Sequence, residues 1–205
     1  MIGFPIEVTC YSGDAGRLDM TTGSKIAPGF FSWSIPTGET TSLGTWTKAN
    51  LMGGISSEEF MSRFMDDTNL NTRFMNCSEV GRFCGPVPSG IVRRPMRERV
   101  ALFGDAAGIC KPTTGGGIGK GFDQVDLMLE RLVEAVKTNE FSPTTIQELN
   151  TTISSLRRSQ NKSRALRNVF LTESTDEDLD ELFEVWAQPD VIELINEIGE
   201  IDNPI

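Results

Sequence analysis

The 205-residue sequence predicts a mixed α/β (α+β) chain with an antiparallel sheet in its first half, a glycine-rich loop feeding a long helix, and a helical C-terminal region. Three observations carry this. Short runs of aromatic and β-branched residues, bounded by Gly and Pro, dominate the N-terminal quarter. The apolar run Val100-Ala101-Leu102-Phe103 gives way to Gly104-Asp105 and then to Gly115-Gly116-Gly117. From Ser142-Pro143 onward the chain reads as wholly helical, opened by an N-cap serine and a proline at the first helical position.

Strands are predicted at Phe4 to Tyr11, Ile26 to Ile35 and Thr41 to Thr47, with Pro36-Thr37-Gly38-Glu39 as a hairpin connection. In the second strand, side chains two apart share a face, so Phe31, Trp33 and Ile35 form one apolar row while Ser32 and Ser34 face the other way. Such a row either packs into an ordinary core or lines a cavity for a hydrocarbon chain. Ser56 and Glu59 make a capping box ahead of Phe60, Met61, Phe64 and Met65, whose spacing gives an amphipathic helix. An extended segment follows from Ser78 to Pro88. After the glycines, Val125, Leu129, Leu132, Val133 and Val136 recur at helical spacing, in a helix expected to pack against the sheet beneath a ligand. In the tail, Arg157, Arg158, Lys162, Arg164 and Arg167 form a basic stretch, and Asp176, Glu177, Asp178, Asp180, Glu181 and Glu184 an acidic one. Together they read as a solvated helix pair in electrostatic contact, although the basic stretch also suits a lipid headgroup phosphate.

The middle loop carries the chemistry. The continuous run from Val100 to Phe103 has the pattern of a parallel strand buried on both faces. Gly104 ends it, placing Asp105 just past a strand's carboxyl end, where α/β sheets seat ligands and a carboxylate accepts hydrogen bonds from sugar-like hydroxyls. Pro112 stops a helix from running through, and Gly115, Gly116 and Gly117 let backbone amides approach a ligand. The helix starting near Ile118 aims its positive end at that place. A P-loop is excluded, because Thr114 stands where its first glycine belongs and Gly121 follows Lys120 where Ser or Thr is needed. No window of the chain reads G-x-G-x-x-G.

Composition narrows the partners. A formal net charge of −10 argues against a nucleic acid and against broad adhesion to anionic membranes. Cys10, Cys77, Cys84 and Cys110 form no C-x-x-C pair, and without histidine there is no zinc set and no metal site, so reduced thiols and a cytoplasmic location are expected. Cys110 reads as a small buried apolar residue. No apolar run is long enough to span a membrane, leaving at most peripheral contact.

Two segments carry a family resemblance. Gly104-Asp105-Ala106-Ala107-Gly108 with Lys111-Pro112-Thr113-Thr114-Gly115-Gly116-Gly117-Ile118 is similar to the second flavin motif of the geranylgeranyl reductases, FAD enzymes that saturate prenyl chains, including those of archaeal membrane lipids. Pro28-Gly29-Phe30-Phe31-Ser32-Trp33-Ser34-Ile35-Pro36 resembles that family's substrate-cavity signature, with Phe31 in place of its tyrosine and Ile35 in place of its phenylalanine. The resemblance implies a partial FAD-binding flavoprotein reductase/hydroxylase-type fold. Residues 1–98 would form a substrate-binding sheet domain, 99–140 the second part of the FAD domain, and 141–205 a C-terminal helical region. It assigns cofactor contact to Gly104, Asp105, Ala106, Pro112, Gly115, Gly116, Gly117 and Ile118, and prenyl-lipid contact to Phe31, Trp33 and Ile35. The first βαβ unit with its glycine fingerprint has no counterpart here, so the chain is expected to be a fragment that binds FAD poorly without that missing N-terminal half. NAD(P)H and ferredoxin remain open as electron donors. With no histidine and only Tyr11 as a tyrosine, water or a thiol would supply the proton. The alternatives are a flavin monooxygenase or quinone-linked flavin dehydrogenase of the same superfamily, and a non-catalytic lipid-binding remnant.

Overall fold

The computed structural model describes residues 1–9, 16–67 and 70–199; Cys10 and Tyr11 lie outside them. Contacts divide the chain into two units, one of Met1–Val87 with Asn168–Glu197 and one of Pro88–Arg167 with Ile198–Ile205.

The first unit is built on an antiparallel sheet in the order β2-β3-β4-β1-β5, with a short β6 also on β1. Its strands are β1 Ile2–Val8, β2 Asp19–Thr21, β3 Ser32–Pro36, β4 Thr41–Thr47, β5 Glu79–Arg82 and β6 Gly85–Pro86. The β3–β4 hairpin turns where expected, with Pro36 opposite Thr41. The strand expected from Ile26 begins only at Ser32. Pro28 has no N–H to pair and Gly29 sits at φ +74°, so the chain turns before it can join the sheet.

Register decides the two faces. Phe4, Ile6 and Val8 stand opposite Thr45, Leu43 and Thr41, and this side is buried. Helix α1, Ser57–Met65, covers it, so Met61 and Phe64 pack with Phe4, Ile6, Val8, Leu43 and Phe74 of the short helix α2, Asn71–Phe74. Each such side chain contributes roughly 1.5–3 kcal/mol. Only half of the expected capping box forms: Ser56 accepts from the Glu59 amide at 3.1 Å, but the Glu59 carboxylate pairs with Arg63 at 3.0 Å. Ser32 and Ser34 join the buried face, opposite Thr45 and Leu43.

The second unit holds β7 Met96–Arg97, β8 Val100–Ala101, and helices α3 Ile118–Thr138, α4 Pro143–Thr152 and α5 Ser154–Arg167. Ser142 caps α4 as expected, accepting from the Thr145 amide. Met96, Met128, Leu149 and Ile153 form one small core, and Ala107, Ile109 and Leu156 another. The basic stretch is not wholly solvated: Arg157 donates to the carbonyls of Ile91 and Val92, each at 3.0 Å, and Arg167 is 6% exposed, donating to the Pro112 carbonyl. Helix α6, Asp176–Trp186, carries the acidic stretch and belongs to the first unit, as does α7, Pro189–Ile198, up to Glu197. Among the described residues, no helix is long and apolar enough to cross a membrane.

Candidate functional site

The glycine loop of the second unit is assembled differently from the sheet edge that its apolar run suggests. Val100 and Ala101 pair antiparallel with β7 alone among the described residues, and both are exposed, Val100 at 55%. The expected parallel strand buried on both faces is therefore not formed, because no described strand flanks β8 on its other side. Leu102 and Phe103, half-buried, lead into a single 3₁₀ turn at Gly104–Ala107. Gly104 and Gly108 both take positive φ, 52° and 71°, and the Gly108 amide donates to the Asp105 carbonyl at 2.9 Å. Gly108 also has no room for a side chain, since a Cβ there would lie 2.0 Å from the Gly90 carbonyl oxygen.

Gln124, fully buried on α3, clamps this turn. Its Oε1 accepts from the Gly104 amide at 3.0 Å, and its Nε2 donates to the Leu102 carbonyl at 2.9 Å. The sequence reading missed it, although a glutamine inside the apolar stripe of an amphipathic helix is the signal that finds it. Downstream, the Lys111 amide donates to the Gly116 carbonyl and the Gly115 amide to the Lys111 carbonyl, both at 2.8 Å, closing the loop. Gly117 then precedes α3 with no side-chain cap and no acidic residue in the helix's first turn. The first-turn amides thus carry their partial positive charge without a side-chain cap.

Asp105 stands beside this helix start. Its carboxylate lies against the bare α-carbon of Gly117, where a Cβ would come within 2.2 Å of Oδ1. Gly104, Asp105, Gly117 and Ile118 line one groove of about 410 Å³ with Phe103, Phe122 and Val125. Ala106 is exposed beside Asp105, Pro112 is buried beneath the loop, and Gly115 and Gly116 form its rim without lining the groove. Cys110 is buried and donates to the Pro88 carbonyl. Burial pushes its thiol above the ordinary range, and the Asp105 charge adds to this, so it stays protonated at neutral pH.

Helix α3 buries Gln124, Met128 and Ala135 but leaves Ile118, Phe122, Leu129 and Val136 at 80%, 65%, 50% and 61% exposure. Of the apolar recurrence expected to pack on a sheet, Val125, Leu129, Val133 and Val136 are thus open to solvent among the described residues, while Leu132 packs on the Met96–Met128 core.

In the first unit, Trp33 and Ile35 lie on the outer face of the sheet, half-buried, and Phe31 is buried at its edge. The Phe31 and Trp33 rings meet edge-on at 6.2 Å, and Trp46, which the sequence reading passed over, stands 5.1 Å from Trp33. Glycines seat both indoles: a Cβ at Gly44 would fall 1.9 Å from the Trp33 ring, and one at Gly3 would fall 2.3 Å from that of Trp46. Among the described residues no group of His, Cys, Asp and Glu could hold a metal ion.

The architecture is the fold of FAD-dependent reductases and halogenases. A geranylgeranyl bacteriochlorophyll reductase-like protein from Thermoplasma acidophilum superposes with a TM-score of 0.77 at 20% identity, over 96% of this chain and 54% of that one. In sequence, digeranylgeranylglycerophospholipid reductase 3 of Methanosphaera stadtmanae is 30% identical over 174 residues, covering 82% of this chain and 42% of the relative. The digeranylgeranylglycerophospholipid reductase of Methanocaldococcus jannaschii is 28% identical over 136 residues, covering 66% and 34%. No family model matches the chain. These relatives and the structural neighbour support assigning the chain to the geranylgeranyl reductase family, and it spans less than half the length of the two curated relatives.

Proposed function

We propose that this chain supplies one part of an FAD-dependent oxidoreductase that saturates the prenyl double bonds of a digeranylgeranylglycerophospholipid-type lipid. The observation that carries the reading is the seat made by Asp105 against Gly117: an acceptor carboxylate, an α-carbon with no room for a side chain, and an uncapped helix start within one groove. That set fits a flavin's polar chain and ring edge. FAD bound there would supply the hydride chemistry. Asp105 would accept from a ribityl hydroxyl, the amides of Gly116, Gly117 and Ile118 would hold the flavin, and Gly104, Ala106, Pro112 and Gly115 would fix the course of the loop. Phe31, Trp33 and Ile35 give the prenyl chain an apolar surface. Cys110 keeps its proton but is buried and turned to Pro88, which would leave water or another thiol to supply the proton. The electron donor is NAD(P)H or a ferredoxin.

The open apolar stripe of α3 supports a second part of the reading, that a dinucleotide-binding unit packs on this helix and that the chain alone holds flavin weakly. The test is flavin absorbance of the chain alone and of the chain extended at its N-terminus by the dinucleotide-binding unit of a digeranylgeranylglycerophospholipid reductase. The extended protein is expected to purify yellow, and Asp105→Ala to weaken FAD binding by roughly 10- to 100-fold, as loss of a charge-assisted hydrogen bond does. An extended protein that purifies colourless and takes up no added FAD overturns the reading.

A further inference from the structure

Arginines crowd one loop of the second unit. Arg93, Arg94, Arg97 and Arg99 are all exposed, and none of them is in an ion pair among the described residues. The backbone that carries them is held at several points. Arg157 on α5 donates to the carbonyls of Ile91 and Val92, each at 3.0 Å, and to that of Arg93 at 3.4 Å. Asn150 on α4 brackets Met96, accepting from its amide at 3.1 Å and donating to its carbonyl at 3.0 Å. The Val92 amide donates to the Ala107 carbonyl at 2.9 Å, and the Leu102 amide to the Pro95 carbonyl at 3.0 Å. Positive charge is thus presented from a fixed backbone, which lowers the ordering cost of binding. Val92 and Val100, 38% and 55% exposed, add apolar surface to this platform.

The matching charge is carried by the same sequence. Every Lys and Arg lies at or before Arg167, whereas residues 168–205 hold twelve Asp and Glu, so the whole net charge of −10 resides in this tail. No acidic residue of α6 or α7 is in an ion pair among the described residues. Helix α7 buries none of its residues: Ile192, Leu194 and Ile195 are 46%, 51% and 47% exposed, and Asp190, Glu193 and Glu197 are exposed along the same helix. Ten residues make a helix too short to be stable in water by itself, and its open apolar side chains call for a cover. An anionic bilayer does not suit it, because no Lys or Arg rims the apolar side. A partner has to be basic and partly apolar. We propose that this partner is the arginine platform of a second copy of the chain, so that the protein self-associates with α7 of one copy seated on Arg93, Arg94, Arg97 and Arg99 of the other. The carboxylates of α7 face the arginines, and Leu194 and Ile195 cover Val92 and Val100.

Sedimentation equilibrium of the 205-residue chain over a range of concentrations tests this without any flavin. In low salt the average mass is expected to rise above that of one chain, and to fall back at about 1 M chloride, where the screening length is about 3 Å. Arg93→Glu with Arg94→Glu, and separately Glu193→Lys with Glu197→Lys, are each expected to weaken association about tenfold or more. All four positions are exposed, and Glu193 and Glu197 lie beyond the first turn of α7, so circular dichroism is expected to show the fold unchanged. Mixed in equal amounts, the two double variants are expected to associate again, because each reversed surface then meets its match on the other chain. A contact made within a single chain is not restored by mixing. Leu194→Gln, which leaves every charge in place, is expected to weaken association severalfold. A chain that stays monomeric in low salt, association that persists at high salt as adhesion through the open stripe of α3 would, or a mixture that stays monomeric overturns the proposal.

Discussion

The outer face of the first unit's sheet and the glycine loop of the second both depend on glycines that leave room for a neighbour, yet the neighbours differ in kind. At Gly44 and Gly3 the space is taken by the indoles of Trp33 and Trp46, ring systems that swing on their own side-chain torsions. At Gly108 it is taken by the backbone carbonyl of Gly90, which moves only if the chain moves. The sheet face therefore has built-in give, whereas the loop is fixed at the level of the backbone. A surface meant to accept a flexible hydrocarbon gains from the first arrangement; a seat that must present amides and a carboxylate at set positions needs the second.

Substituting the glycines separates the two cases. Gly108→Ala combines a left-handed φ of 71° with a backbone clash at 2.0 Å, and urea denaturation is expected to show a loss of about 2–5 kcal/mol. Gly44→Ala meets only an indole, so the expected loss is about 1–3 kcal/mol, accompanied by a red shift of tryptophan emission as Trp33 is pushed toward water. Equal losses at the two positions, or no spectral change at Gly44, would break the contrast. Next in size is Gln124→Leu, which keeps the volume but strands the Gly104 amide and the Leu102 carbonyl; about 1–3 kcal/mol is expected. Hydrogen exchange sharpens this one, since protection should fall first at Gly104 if Gln124 is the clamp.

What was legible in the sequence follows the reach of local rules. The Thr41–Thr47 strand, its hairpin, the Ser142 cap and the start of α3 at Ile118 each depend on a few adjacent residues, and each is found in place. Gly104, Asp105, Gly117 and Ile118 of the groove were legible because turn chemistry and glycine placement are local too, whereas Ala106, Pro112, Gly115 and Gly116, read with them, do not line it. Burial from Val100 to Phe103 and along α3 was misjudged for a different reason: an apolar run reports that a surface wants a cover, not whether the described chain supplies one. Gln124 and Trp46 escaped because their roles come from partners distant in sequence, Leu102 and Gly104 for one, Gly3 for the other. Nothing in the composition signals that residues 168–197 rejoin the unit begun by β1.

The smallest effect lies at two helix starts, one in each unit, where acid should act alike despite the different cores. At α6, Asp178 accepts from both the amide and the hydroxyl of Thr175, at 2.8 and 2.9 Å, and these bonds hold its carboxyl below the ordinary range. Just before α4, Glu140 is lowered in the same way, chiefly by the Ser142 hydroxyl and next by the Ser142 amide, which donates to it at 3.0 Å. A carboxyl lowered in the folded chain adds stability that is fully present above its unfolded pKa and lost as pH falls through the folded one. For Asp178 the loss must therefore begin below the ordinary aspartate value of about 3.9. Wild type and Asp178→Asn compared by helix circular dichroism during acid titration should differ by a constant amount near neutrality and converge in that acid window. Convergence at higher pH would place the effect on another group. Both carboxyls are exposed, so the difference should be small, and Glu140→Gln should reproduce it at α4, with convergence beginning near the ordinary glutamate value of about 4.3.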